Sequence, residues 1–208
     1  MKFDPYEYIG VVVPGSVLVL AIALIFPDLV PSITSSLSLG DLGLMVILAF
    51  VAGHFVQAGG NLWETIVWKL LGGMPSSSVF KPNSRLLSPG QQERLKSKLT
   101  DDFGPDAREG LAVGRGAMRE LFVKVRQSGS IDRIEKFNRN YGLMRGTAVS
   151  FLVSAALVLV FDPDHTEIAL LLLGVAGVFT YRMVRFGKHY AREAFAEYLR
   201  ISSAKDTD

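Results

Sequence analysis

The chain has 208 residues, 49% of them hydrophobic, no cysteine and a formal net charge of +2. That length suits one ordinary domain, but the apolar fraction and the positive mean hydropathy exceed those of a soluble one. The missing cysteines exclude a disulfide framework, a thiolate metal site and a cysteine nucleophile.

The apolar residues fall in blocks. A bilayer core of about 30 Å takes roughly 20 apolar residues of helix at about 1.5 Å rise each. Four stretches meet this: Tyr8 to Phe26, Leu42 to Asn61, Leu143 to Phe161 and Glu167 to Met183. The predicted fold class is an all-α integral membrane protein, with four transmembrane helices in two hairpins and a small helical cytosolic domain. The expected segments are a first hairpin (1–64), a cytosolic helical segment (65–141), a second hairpin (142–183) and an amphipathic cytosolic tail (184–208). Lys2 ahead of the first span also fits a short signal peptide, but the span is long for one and no small-x-small cleavage site follows it, so a retained anchor is expected.

Orientation follows from charge. Pro27 to Asp41 and Asp162 to Glu167 contain no Lys or Arg, whereas Thr65 to Tyr141 holds 14 basic against 8 acidic residues, and the chain after Tyr181 holds 6 against 4. Lys and Arg are retained on the cytoplasmic side, so both termini and the long central segment are expected there. Tyr6, Tyr8, Trp63, Trp68, Tyr141 and Tyr181 cluster near that same boundary, as aromatic belts do.

The second span carries His54, Gln57, Asn61 and Glu64 on one helical face, an arc of roughly 80°. Ionisable groups in spans avoid lipid, so this stripe is expected to face the bundle interior. There it serves either as a hydrated path entering from the cytoplasm or as a set of interhelical hydrogen bonds. Helix pattern continues through Leu70 and stops at Gly72, Gly73 and Pro75, beyond which a loop is expected.

Ser88 and Pro89 read as the cap and first position of a short helix to about Leu99, closed by Phe103, Gly104 and Pro105. Asp106 reads as the cap of the next helix, where Leu111, Met118, Leu121, Phe122 and Val125 recur at helical spacing. That apolar face requires a partner surface and is the expected cytosolic interaction face. From Ile131 the pattern runs without a proline into the third span, predicting one long helix. On it Asn138, Tyr141 and Arg145 make a candidate polar partner face, with Arg145 at the depth of Glu64, where the two can pair.

Small residues at Ala49 and Gly53, Ser150 and Ser154, and Gly174 and Gly177 mark close helix packing, within a subunit or between subunits. Pro14 and Gly15 are expected to kink the first span. The tail from Val184 to Ser202 has Phe186, Tyr190, Ala194, Phe195, Tyr198 and Leu199 on one side. It suits packing on the cytosolic helices or lying on an anionic leaflet.

The run Phe137 to Gly146, Phe-Asn-Arg-Asn-Tyr-Gly-Leu-Met-Arg-Gly, together with Asp4-Pro5-Tyr6 and Pro14-Gly15, resembles small bacterial inner-membrane proteins. The resemblance implies a bacterial inner membrane and carries over no functional residue. No catalytic constellation, metal set, cofactor motif or nucleic-acid patch stands out. The expectation is a non-enzymatic homo-oligomer in the lipid bilayer that presents its cytosolic helices to a protein partner; an oligomeric ion- or proton-conducting pore is the alternative.

Overall fold

A computed structural model describes residues 5–29, 39–81, 84–104, 115–128 and 131–201. Among these the chain is all-helical, without strands, and four helices are long and apolar enough to cross a membrane. The helices are α1 (Pro5–Ile25), α2 (Leu39–Leu70), α3 (Pro75–Ser78), α4 (Pro89–Phe103), α5 (Arg115–Gln127), α6 (Asp132–Phe161) and α7 (Thr166–Arg200). Asp106, Leu111 and the residues after Ile201 lie outside the described residues.

Several boundaries differ from the sequence reading. A single helical turn, α3, stands where a loop is expected, with Pro75 supplying its φ in advance at the first helical position. Helix α4 runs to Phe103 rather than Leu99. It opens with a capping box in which Gln91 N–H donates to the Ser88 hydroxyl at 3.3 Å and Ser88 N–H donates to Gln91 Oε1 at 2.9 Å. The tail is not a separate element. One unbroken helix, α7, carries through Gly187 to Arg200, since a lone glycine costs only about 1 kcal/mol in a helix interior.

The chain divides into two compact units, Met1–Ile66 with Arg139–Val184, and Val67–Asn138 with Arg185–Asp208. The apolar stretches of the four long helices thus fall in one unit, and the central segment falls with the tail in the other.

In the first unit, α1 and α2 approach backbone to backbone. A Cβ on Gly15 would lie 1.8 Å from the Ala49 carbonyl oxygen, and one on Gly53 would lie 2.1 Å from that of Val11. Only glycine permits this approach at either position. A smaller apolar cluster joins Ala155 and Val158 of α6 to Ala169 of α7, with Ile25 and Leu172 against it.

The second unit has a core of its own. Val79, Leu87, Leu95, Leu99, Leu121, Val125, Ile134, Ala191, Ala194, Phe195 and Tyr198 form one buried cluster. Leu121 and Val125 are fully buried there, with Met118 and Phe122 packed against them. The α5 face read as an interaction face is therefore occupied by the chain's own helices, α7 among them. The same contacts decide the tail's alternatives in favour of packing, because Phe195 and Tyr198 are wholly buried.

Candidate functional site

Proline at position 14 has no amide hydrogen, so α1 loses the bond that residue 14 would donate to the Gly10 carbonyl. Gln57 of α2 supplies the missing donor: its Nε2 reaches Gly10 O at 2.7 Å. One turn along α1, the Ser150 hydroxyl of α6 donates to the Pro14 carbonyl at 2.6 Å. Gly146 makes room, since a Cβ there would lie 2.8 Å from Gln57 Nε2 and 3.1 Å from the Pro14 ring. Three helices thus meet at the proline, and the carbonyl it leaves unpaired is satisfied from outside α1.

The junction continues toward Glu64. Gln57 Oε1 accepts from Arg145 Nη2 at 3.1 Å, and Arg145 Nη1 donates to Glu64 Oε2 in a salt bridge. Both charged side chains are largely shielded, Arg145 at 18% and Glu64 at 14% exposure. Gly60 accommodates the guanidinium stem, for a Cβ there would lie 3.1 Å from Arg145 Nε. That Nε is buried without a hydrogen bond among the described residues, as is the Ser154 hydroxyl. Nearby, Trp63 Nε1 donates to Thr180 Oγ1 of α7 at 3.1 Å, a contact the sequence reading missed.

The polar stripe is split between two surroundings. Gln57 and Glu64 turn into the bundle, whereas His54 and Asn61 are exposed on the outside of α2. Helix geometry explains the division. At about 100° per residue His54 and Asn61 lie roughly 20° apart, Gln57 and Glu64 form a second pair roughly 20° apart, and about 40° or more separates the pairs. The expectation that the whole stripe faces inward is therefore corrected for half of it. The His54 ring packs edge-on against Phe50 with centroids 4.7 Å apart. Neither the His54 nor the Asn61 side chain hydrogen-bonds to another described residue, and their neighbours Val51, Phe55 and Leu62 are exposed apolar side chains.

Of the face anticipated on α6, Arg145 joins the network, Tyr141 is half-buried and Asn138 is exposed. The small-residue positions also separate. Ala49 and Gly53 serve the contact with α1, and Ser150 holds Pro14. A Cβ on Gly174 or Gly177 would meet nothing within 4 Å, so these two pack on no described part of the chain. Among the described residues no three His, Cys, Asp or Glu side chains are grouped to hold a metal ion.

In the second unit the Asp102 carboxylate has a fully buried side chain held by Lys124 Nζ at 2.8 Å and by the Tyr198 hydroxyl at 2.6 Å. Lys98 reaches across to the Ile201 carbonyl at 2.6 Å. Burial, with the neighbouring Asp102 charge and hydrogen bond, pushes the Tyr198 phenol well above its usual range. Sequence periodicity shows none of this, because Asp102 reads as one more polar residue near a helix end.

Fold and site together define a class: an all-helical chain with four helices long and apolar enough for a membrane, pinned by a buried polar junction. Comparison with protein-family models, curated proteins and solved structures finds no match to this chain.

Proposed function

We propose that this chain is a multi-pass protein of a bacterial inner membrane, its four apolar helices inserted as two hairpins with both termini in the cytoplasm. It acts as a non-enzymatic, self-associating module that holds its helical second unit in the cytosol for a protein partner. The charge bias of the connecting segments supports the orientation. The partner contact uses outer surfaces of that unit, since the apolar face of α5 is spent on its own core.

One observation carries self-association: His54 and Asn61 stand exposed on one face of α2, two helical turns apart, among exposed apolar side chains. Polar side chains in a span turn from lipid toward other protein, where hydrogen bonds across helices contribute about 0.6–2 kcal/mol each. A second copy of α2 presents the same donors and acceptors, and a two-fold arrangement pairs them.

The natural absence of cysteine makes the test direct. Single cysteines at Asn61 and at Ala58, oxidised in native membranes, are expected to give disulfide-linked dimers. A cysteine at Gly174 giving dimers while both α2 positions stay monomeric would move the interface to α7. Monomers at all three positions would refute self-association.

The same exposed pair favours a second reading, in which copies assemble around His54 and Asn61 to form a conducting path. Within one subunit the stripe is closed by the Gln57, Arg145 and Glu64 network, so such a path runs between subunits. Proton and ion flux into liposomes, altered by His54→Ala, would place this reading first.

A further inference from the structure

Helix α2 ends at Leu70, and Gly72 and Gly73 turn the chain with φ of +85° and +111°, a conformation that side chains resist. Just beyond this turn the second unit forms a half-open cavity of about 550 Å³. Its volume lies in the range of about 300–1,000 Å³ typical of small-molecule sites.

Four cationic side chains converge on it: Lys81 and Arg85 from the segment after α3, and Lys188 and Arg192 from α7. Among the described residues that line it there is no Asp or Glu. The +2 charge of the whole chain and the mixed signs of the surrounding segment make this one-sided lining a local feature. Lys188 and Arg192 stand four residues apart on one helix, a spacing at which like charges repel.

Two of the cations are held in place by backbone. Lys81 Nζ donates to the Gly72 carbonyl at 2.6 Å, and Arg192 Nε donates to the Leu86 carbonyl at 3.2 Å. Each keeps further N–H donors for a ligand. Arg85 and Lys188 form no ion pair or hydrogen bond with other described residues. Hydroxyls of Ser78 and Ser84 add polar lining, and Trp68, Leu71 and Leu86 add an apolar wall.

We propose that this cavity binds a phosphate-bearing anion, its oxygens taken by Arg85, Lys188 and the free donors of Lys81 and Arg192. Arginine forks and lysine ammonium groups are the donors that suit phosphate oxygens, and among the described residues no lining carboxylate competes for them. Two sources share this chemistry. One is the headgroup of an anionic phospholipid, favoured by the apolar wall and by the end of α2 at the rim if that helix crosses the bilayer as proposed above. The other is a soluble phosphate compound.

The test uses the full chain purified in detergent. Retention of phosphatidylglycerol against phosphatidylcholine is measured by native mass spectrometry, and inorganic pyrophosphate is titrated by calorimetry. Wild type is expected to hold one of the two anions. The double variant Arg85→Gln with Lys188→Gln is expected to bind it at least about tenfold more weakly. A control of equal charge, Arg119→Gln with Arg126→Gln on α5, is expected to bind like wild type.

The charge-keeping pair Arg85→Lys with Lys188→Arg should retain binding and excludes simple misfolding as the cause of loss. Phosphatidylglycerol binding identifies the lipid source, and pyrophosphate binding alone identifies the soluble one; either supports the site. Neither anion bound by wild type, or equal weakening in the α5 control, would overturn it. So would undiminished binding in the Arg85 and Lys188 double variant.

Discussion

Gln57 hydrogen-bonds to the carbonyl of Gly10 at 2.7 Å, the position four residues before Pro14 that the proline itself leaves without a donor. A helix defect in one element is thus repaired by a side chain of another, and both residues owe their place to the same junction. Gln57→Leu is expected to lower stability by about 1–3 kcal/mol, because it strands a partly buried carbonyl and one arm of Arg145. Pro14→Ala restores an amide at position 14, so the same Gln57 substitution should cost less in that background. A double-mutant cycle in a micellar unfolding assay reads the difference, and strictly additive losses would contradict the repair.

The ion pair between Glu64 and Arg145 is mostly shielded from solvent. Glu64→Gln and Arg145→Gln are each expected to lower stability by about 2–3 kcal/mol, since each leaves the other charge without its counterpart. The double substitution should lose less than the sum of the two. Single variants indistinguishable from wild type in the same unfolding assay would show that the pair contributes nothing.

At Gly15 and Gly53 the spacing between α1 and α2 admits no side chain at all. Alanine at either position is expected to force the helices apart and lower stability by about 1–3 kcal/mol. Gly43→Ala, on the same α2 but with nothing within 4 Å of its Cβ, should instead leave stability unchanged or raise it by up to about 1 kcal/mol through helix propensity. Equal effects at Gly15 and Gly43 would rule out the close approach.

Tyr198 donates to the buried Asp102 carboxylate, and its phenol loses its proton only well above the ordinary value of 10.0. A group whose folded pKa is raised contributes stability that is present in full below the unfolded pKa. That contribution falls as pH rises beyond it, because the unfolded chain then releases the proton and the folded chain does not. Wild type is therefore expected to lose stability more steeply above pH 10 than Tyr198→Phe does, as followed by thermal unfolding at a series of pH values. Parallel pH curves for the two proteins would refute a raised phenol. At neutral pH, Asp102→Ala should be more damaging than Tyr198→Phe, because it leaves partly buried Lys124 without its carboxylate and the Tyr198 hydroxyl with only the longer bond to the Lys98 carbonyl at 3.3 Å.

Periodicity and residue type by themselves determined that this chain is helical and where four apolar helices lie, since charge-poor apolar stretches of about 20 residues have the length of a bilayer-spanning helix, which satisfies its own backbone hydrogen bonds. They also determined the Ser88 cap of α4 and the long run of α6, because caps and unbroken patterns are local. The shared depth of Glu64 and Arg145 was legible from counting residues along two helices.

Tertiary structure alone decided the rest. It divided the polar stripe, since an arc of about 80° is wide enough for Gln57 and Glu64 to turn inward while His54 and Asn61 stay out, and the positions of α1 and α6 set which edge is buried. It made the apolar face of α5 a core rather than a docking surface, because a periodic face states that a partner is needed and not whether the chain provides it. It also brought Lys81 and Arg85 to Lys188 and Arg192, residues about a hundred positions apart in sequence, around one cavity.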